Sequence, residues 1–439
     1  MTTLTMRRHV LRLAVPAAFK HFLDIVQVLI DLVMVGSLGA AAVAAVGISM
    51  QFLMMLQVVM TLYTVGAGAV ISRYIGSKRR NRASSVVFGA FIIALPLSIV
   101  VGWSGWTFNS VWFGWMGSSQ EVVALGENYF GTISLGMSLI FLDALAYGVL
   151  SSAGDTHSAV YIKILSACLN GLLNYLWIFG HGGFEAMGVA GAAYATLCAY
   201  AFNLTIYTWL LFRKGGVIDV IAIVSVMDIR RIMKIGFPAA YERAIGSMSF
   251  MFFVTIIGSY GTHAMAGYQI GLRVEALAFM PGFGFSVAAM ALAGQNIGAR
   301  KLDDAYDSGL YSAKIAMVFM GSVGIVLVMF PEFFVGYFTD ETETLEQASL
   351  YLRWVGMSQI PLAIMFVFSG ALRGAGATRT TLKINTLSLW LFRIIPSYAV
   401  MSFGFEIVWI YIAMTIETFI KGGWFWSVYR QRKWLNTSI

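Results

Sequence analysis

The sequence predicts an all-α polytopic membrane protein, with twelve transmembrane helices in two pseudo-symmetric six-helix lobes around a central cavity. Three observations support this fold class: composition, an internal repeat and the placement of basic residues. The 439 residues are 59% hydrophobic and 11% charged, with a mean hydropathy of +0.78, whereas soluble domains carry about 25% charge. Because one span takes about 20 apolar residues, roughly a dozen helices fit into this length.

The two halves of the chain repeat each other at a constant offset of 222 residues. Matching pairs include Arg8 with Arg230, Pro16 with Pro238, Gly39 with Gly261, Gly76 with Gly298, Tyr129 with Tyr351 and Gly154 with Gly376. A gapless offset over half the chain indicates two copies of one structural unit. In membrane proteins such repeats commonly place a transport site at their interface.

Twelve apolar segments divide the chain into candidate spans. They cover roughly 10–35, 43–71, 84–106, 122–150, 157–179, 187–211, 233–257, 265–296, 306–330, 346–371, 379–401 and 407–429. The basic residues outside them lie at the termini and in even-numbered connections, as in Arg73–Arg82 and Arg300–Lys301. This positive-inside pattern predicts a cell-membrane protein with both termini in the cytoplasm. It also explains the net charge of +8 without a nucleic-acid partner, because the basic residues face anionic lipid.

The repeat and the longest basic connection predict the domain organisation. Residues 1–212 form an N-terminal six-helix lobe, 213–232 a cytoplasmic linker and 233–439 a C-terminal six-helix lobe. Because six is even, both halves enter the membrane from the same side, and their pseudo-two-fold axis runs along the membrane normal. We expect the chain to be a monomer.

Several sequence runs resemble the multidrug and toxic compound extrusion (MATE) family. These are Val35–Gly39 with Ala44–Gly47, Gly294–Ala299, Leu372–Thr378, and Ala153–Thr156 with Asn170 downstream. Asp31 and the Pro238–Glu242 run are more similar to the DinF-like and archaeal branch than to the NorM-like branch. The resemblance covers essentially the whole chain. It implies a two-lobed, twelve-helix fold and export of organic, often cationic, compounds driven by inward H⁺ or Na⁺ flow.

A candidate ion-binding site centres on Asp31 in the first span. An ionisable residue inside a span is costly and indicates function by default, although Asp31 could also bind helices together through hydrogen bonds. The resemblance matches Asp31 and Asn170 to the family's N-terminal cation site. The family often has aspartate four residues after that asparagine, where this chain has Asn174. One carboxylate fewer favours proton coupling, although Asp31, Asn170 and Asn174 could still coordinate Na⁺.

Three other residues are candidates for the same ion-binding site. Tyr129 and Thr196 resemble further members of the family's cation site, and Asp143 is another acid inside a span. The asparagines could alternatively only bridge helices.

Secondary candidates for ion binding lie in both halves of the chain. Asp24 shares a helical face with Asp31 but has Lys20 one turn away as a possible partner. Glu242, Glu275 and Arg273 lie in spans of the second half, where ion pairs across helices are the expected structural role.

Sequence motifs of several common enzyme classes are absent. The sequence contains no Walker A run, no Gly-x-Ser-x-Gly, no His-Glu-x-x-His and no paired cysteine motif, so we expect neither an enzyme nor a cofactor. The preferred function is a secondary active antiporter for small organic compounds, with H⁺ or Na⁺ as the coupling ion. The alternative is a lipid-linked oligosaccharide flippase of the same superfamily, which would need a strongly cationic cavity. The cations inside the predicted spans that could line such a cavity are few, namely Arg243, Arg273, Arg353 and Arg393. A passive channel or a membrane scaffold is less consistent with buried acids in a repeat.

Overall fold

The structure is a computed structural model that describes residues 3–116, 118–213, 216–217 and 224–438. In these ranges all regular secondary structure is helical. The α-helices are α1 Thr3–Gly36, α2 Ala40–Gly76, α3 Arg80–Trp115, α4 Gln120–Leu135, α5 Met137–Ala153, α6 His157–Phe179, α7 Val189–Phe212, α8 Val226–Gly258, α9 Thr262–Gly298, α10 Leu302–Met329, α11 Pro331–Val335, α12 Thr342–Met357, α13 Gln359–Gly374, α14 Thr378–Leu389, α15 Ile395–Ser402 and α16 Val408–Arg430. A π-helical turn, Trp390–Ile394, joins α14 to α15, and a 3₁₀ helix, Lys433–Asn436, follows α16.

Each predicted apolar segment coincides with a helix or a pair of helices, so the all-α polytopic fold is confirmed. Six described helices are long and apolar enough to cross a membrane, and two bent pairs raise the number to eight. The other segments coincide with α1, α8, α14 to α15 and α16. These helices carry ionisable residues at mid-length, which lowers their hydropathy.

Three spans that the sequence predicts as continuous helices are interrupted. The helices α4 and α5 meet at Gly136 with a bend of 53°, and α12 and α13 meet at Ser358 with a bend of 57°. Pro361 lies in the first turn of α13, where its missing N–H is tolerated because no intrahelical bond is needed there. The third interruption is the π-helical turn before α15.

The predicted repeat is confirmed by the backbone. The boundaries of α2 and α4 recur at the same offset in α9 and α12. Glycines in matching connections adopt matching unusual conformations, with φ of 113° at Gly39 and 104° at Gly261. Two of the three non-glycine residues with positive φ in the described ranges also match, because Lys78 has φ 59° and Arg300 has φ 60°, whereas Arg432 has no such counterpart. Positive φ is rare outside glycine, so its recurrence reflects two copies of one connection.

The N-terminal unit is a compact body that comprises Lys20–Gly236. The start of α8 belongs to its core, packed against α2 by close backbone contact. A methyl group placed on Gly66 would lie 2.3 Å from the Ile232 carbonyl oxygen, and one on Gly236 only 1.7 Å from the Leu62 carbonyl oxygen. Such contacts require glycine.

The C-terminal unit comprises Met1–Phe19 together with Phe237–Ile439. The first turns of α1 contribute Val10, Leu13 and Ala14 to its apolar core beside α9. Gly284 of α9 lies against Ala14, because an added methyl group would be 2.5 Å from the Ala14 carbonyl oxygen. The start of α1 therefore completes the core of a unit built mainly from the second repeat.

These compact units divide the chain at other residues than the predicted 1–212, 213–232 and 233–439. The divisions fall inside α1, after residue 19, and inside α8, after residue 236. The physical reason is that small and apolar side chains at the start of each helix pack against a core outside their own repeat. Of the predicted linker, residues 214, 215 and 218–223 lie outside the described residues.

Candidate ion-binding site

Asp31 is buried against α6 in the N-terminal unit. Its carboxylate Oδ1 accepts a hydrogen bond from Asn174 Nδ2 at 2.6 Å, and that same nitrogen lies 3.4 Å from Asn170 Oδ1. Both asparagines are fully buried, and Asp31 is only 6% exposed. The spacing i, i+4 puts the asparagines on one face of α6. The structure thus brings together the three residues that the sequence singles out.

Two polar atoms of this cluster have no hydrogen-bond partner among the described residues, namely Asn170 Nδ2 and Asn174 Oδ1. Buried polar groups in native proteins are almost always satisfied by protein or ordered water, and an unmade bond costs free energy. Together with the Asp31 carboxylate and Asn170 Oδ1, the free amide oxygen offers the oxygen ligands that hard cations use. The cluster can therefore accept a proton, a water molecule or a small cation.

Tyr129 and Thr196 lie close to this cluster. Tyr129 on α4 is 3% exposed, lies beside Thr196 on α7 and is near enough to Asp31 for electrostatic interaction. The Thr196 hydroxyl is buried without a hydrogen-bond partner in the described part of the chain. Four helices, α1, α4, α6 and α7, therefore contribute to one polar centre.

Asp143 on α5 is buried in the same unit but belongs to a neighbouring group. Its electrostatic neighbours are Lys20, Lys163 and Asp24, and Asn203 lies beside it. The oxygen Asp143 Oδ1 has no hydrogen-bond partner within the described residues. The structure therefore places Asp143 next to the site of Asp31 rather than within it.

Asp24 is held by two lysines. Lys20 Nζ and Lys163 Nζ each lie 2.8 Å from a different carboxylate oxygen of Asp24, so the predicted partner Lys20 is confirmed. Lys163 also donates to Gln27 Oε1 at 2.5 Å. Sequence reasoning missed Lys163. Its position seven residues before Asn170 places it on the same face of α6, and this spacing is the signal that could have identified it.

Carboxyl groups outnumber lysines in this region. Asp24, Asp31 and Asp143 accompany Lys20 and Lys163, and His21 Nδ1 also lies 3.7 Å from Asp24, whose side chain is 33% exposed. Both lysines are paired with Asp24, so neither forms an ion pair with the buried Asp31. An uncompensated buried charge is strongly unfavourable, which favours a bound proton or cation at Asp31.

Glu242 on α8 is saturated by partners in the C-terminal unit. Its carboxylate accepts from Arg373 Nη2 at 2.5 Å, Thr381 Oγ1 at 2.7 Å and Asn385 Nδ2 at 2.6 Å. The expected ion pair across helices is therefore confirmed for Glu242. Three donors hold this carboxylate, and one of them carries a full positive charge, so Glu242 is a structural anchor.

The side chains of Glu275 and Arg273 point in different directions, because residues two apart on a helix lie on different faces. Glu275 is buried and accepts from the Tyr351 hydroxyl at 2.5 Å, whereas Arg273 is exposed. For Glu275 the structure gives this hydrogen bond to a tyrosine in place of the expected ion pair across helices, within the described part of the chain.

Glu417 on α16 is fully buried between two cations. Lys421 Nζ lies 2.8 Å from one carboxylate oxygen, and Arg393 Nη2 lies 2.7 Å from the other. The i, i+4 pair with Lys421 was predictable from the sequence, whereas Arg393 comes from the π-helical turn before α15.

Glu417→Gln should destabilise the protein by about 3–5 kcal/mol, because it leaves the buried Lys421 and the half-buried Arg393 without a counter-charge. The matched control is Glu332→Gln, which removes an exposed pair with Arg353 and should cost less than about 1 kcal/mol. Thermal denaturation of both variants in detergent micelles measures the difference. Equal melting temperatures for the two variants would contradict this account.

Comparisons with known proteins agree with this architecture. The family model MatE matches residues 16–176 and 238–399, one match in each repeat. A probable multidrug resistance protein NorM of Thermotoga maritima is 28% identical over 404 residues, which cover 90% of this chain and 86% of that protein. An FAD transporter of Shewanella oneidensis is 26% identical over 405 residues, covering 90% and 88% of the two chains. A solved transporter of the MOP superfamily from Pyrococcus furiosus has a TM-score of 0.88 at 21% identity, covering 99% of this chain and 97% of that one.

Proposed function

The chain belongs to the MATE family and is a multi-pass transporter of the plasma membrane rather than an enzyme, and from this premise we propose that it is a secondary active antiporter. It exports small organic compounds against an inward flow of protons, and Asp31 is the group that binds the coupling ion. The single observation that carries the proposal is the buried contact between Asp31 and Asn174, 2.6 Å long, with unsatisfied amide atoms beside it.

Protonation of Asp31 changes what its carboxyl group can bind. The ionised carboxylate only accepts hydrogen bonds, whereas the protonated acid also donates one. The protonated form can donate to Asn170 Oδ1 or Asn174 Oδ1, which the ionised form cannot do. Binding of a proton therefore rearranges the contact between α1 and α6, and this rearrangement is the step that alternating access requires.

Two features favour H⁺ over Na⁺ as the coupling ion. Asn174 stands where the family often has a second carboxylate, so the site carries less negative charge. Lys163 lies near enough to interact electrostatically with Asp31, and its positive charge opposes the entry of a second cation. A proton binds to a single carboxylate oxygen without a coordination shell, so the missing carboxylate disfavours H⁺ less than Na⁺.

The substrate class follows from the names of the relatives. The Thermotoga maritima relative is named for multidrug resistance and the Shewanella oneidensis relative for FAD transport, and both substrates are organic molecules. The flippase alternative needs free cations for a pyrophosphate. Arg353 and Arg393 are paired with Glu332 and Glu417, which weakens that alternative. We further propose cytoplasmic termini, on the basis of the basic connections, and a monomeric transporter.

Reconstituted vesicles can test the proposal with a fluorescent organic cation and separately imposed ion gradients. An acidic lumen should drive accumulation of the dye, because each proton that leaves down a tenfold concentration difference supplies about 1.4 kcal/mol. A Na⁺ gradient alone should give no accumulation. The proposal fails if neither gradient drives uptake, or if the protein scrambles a lipid-linked oligosaccharide instead.

A further inference from the structure

A second feature of the N-terminal unit is a cavity at the ends of its helices. It has a volume of about 460 Å³ and lies among the ends of α2, α5 and α7 and the start of α3. Its rim carries the cationic side chains of Lys78, Arg80 and Arg213, and its floor is apolar, with Leu150 and Leu210. Sites for small ligands have volumes of this order. None of these residues belongs to the group around Asp31.

The electrostatics of the cavity favour an anion. Helix α3 begins at Arg80 without a side-chain cap, so no capping side chain covers the positive end of its dipole. The lining also contains Asp155, which accepts hydrogen bonds from the backbone N–H and the hydroxyl of Ser158 at 3.0 and 2.7 Å. Three cations and one carboxylate leave these lining residues with a net charge of +2. Arg80 Nη1 donates a hydrogen bond to the Gly216 carbonyl oxygen at 3.5 Å.

In the second repeat, the positions that correspond to four of the lining residues are packed in an apolar core. The residues that match Leu150, Ala153, Asp155 and Arg213 at the constant offset are Leu372, Ala375, Ala377 and Leu435, and all four lie in the core of the C-terminal unit. Trp434 beside them is only 4% exposed, with its indole N–H bonded to the Tyr429 carbonyl oxygen. At positions 155 and 213 the first repeat therefore has charged side chains where the second has buried apolar ones, whereas Leu150 and Ala153 match identical residue types.

We propose that this cavity binds a phosphate group attached to an apolar moiety, at a site distinct from the proposed transport chemistry. The three cations and the uncapped helix match the phosphate, and the apolar floor matches the attached group. Two sources share this chemistry, namely an anionic phospholipid of the adjacent leaflet and a soluble organic phosphate. Basic pockets between membrane helices on the cytoplasmic side are suited to anionic head groups.

The test compares the binding of phosphatidylglycerol and phosphatidylcholine to the purified full-length protein by native mass spectrometry. The cavity variant is Lys78→Asn with Arg213→Gln, in which asparagine tolerates the positive φ of position 78. It should bind phosphatidylglycerol about fivefold less tightly for each charge removed. The matched control, Arg300→Asn with Lys301→Gln, removes the same charge from the corresponding connection of the second repeat and should bind like wild type.

A further variant and a soluble probe complete the test. Ala153→Phe fills the cavity without a change of charge and should also reduce binding of phosphatidylglycerol. Inorganic pyrophosphate should displace the lipid or raise the melting temperature of the wild type if the source is soluble, and should do neither if it is a lipid. The proposal is overturned if the wild type prefers neither phosphatidylglycerol nor pyrophosphate, or if the control variant loses as much binding as the cavity variant.

Discussion

Replacing Asp31 with asparagine should abolish ion-driven export and leave the protein folded. The asparagine side chain has nearly the same shape and can keep the contact with Asn174, but it cannot bind a proton at any accessible pH. Asp24 cannot substitute for it, because two lysines lie 2.8 Å from its oxygens. In vesicles with an acidic lumen, the variant should therefore accumulate no more dye than empty vesicles.

Two controls separate lost coupling from lost folding. Glu127→Gln removes an exposed acid of the same unit and should transport like wild type. Counterflow, in which unlabelled substrate inside the vesicle exchanges for labelled substrate outside, needs no ion gradient and should persist in Asp31→Asn. Export at the wild-type rate by Asp31→Asn, at the same protein density, would refute the role assigned to this carboxyl group.

Gly236→Ala should destabilise the protein by about 3 kcal/mol, at the upper end of the usual range for overpacking. The added methyl group would lie 1.7 Å from the Leu62 carbonyl oxygen. Backbone atoms cannot rotate away as a side chain can, so α8 would have to separate from α2 along their contact. Thermal denaturation in detergent should show a melting temperature well below that of the wild type.

The same helix supplies the control for this prediction. Gly246 also lies in α8, but an added methyl group there would have no atom within 4 Å. Gly246→Ala should therefore leave stability unchanged or raise it by up to about 1 kcal/mol, because alanine favours the helix over glycine. If Gly236→Ala melts like Gly246→Ala, the close contact with Leu62 does not exist in the protein.

The two-copy arrangement of the helical fold was predictable from the internal repeat. A constant offset of 222 residues requires two copies of the same helices and connections, and Gly39 and Gly261 show the result at the level of φ. The interruptions at Gly136 and Ser358 were not predictable from apolarity. Hydropathy measures the partition of a segment into lipid and does not depend on whether its helix is straight.

The candidate site was predictable in part. Asp31, Asn170 and Asn174 stand out because acids and amides are rare inside spans, and the structure brings them into contact. Lys163 was not recognised, although its spacing of seven residues from Asn170 places it on the same face of α6. Its partnership with Asp24 on α1 depends on the tertiary packing of α1 against α6, which no spacing within either helix encodes.

The position of Val10, Leu13 and Ala14 in the core beside α9 also sets a condition on biosynthesis. These residues leave the ribosome before the α9 residues of the same core, such as Phe285, which follows about 270 residues later. At a synthesis rate of about 5–20 residues per second, the interval is roughly 15–55 seconds. During that time the leading segment must be sheltered by lipid or by the insertion machinery, and neither half of a gene cut between the repeats would encode a self-sufficient product.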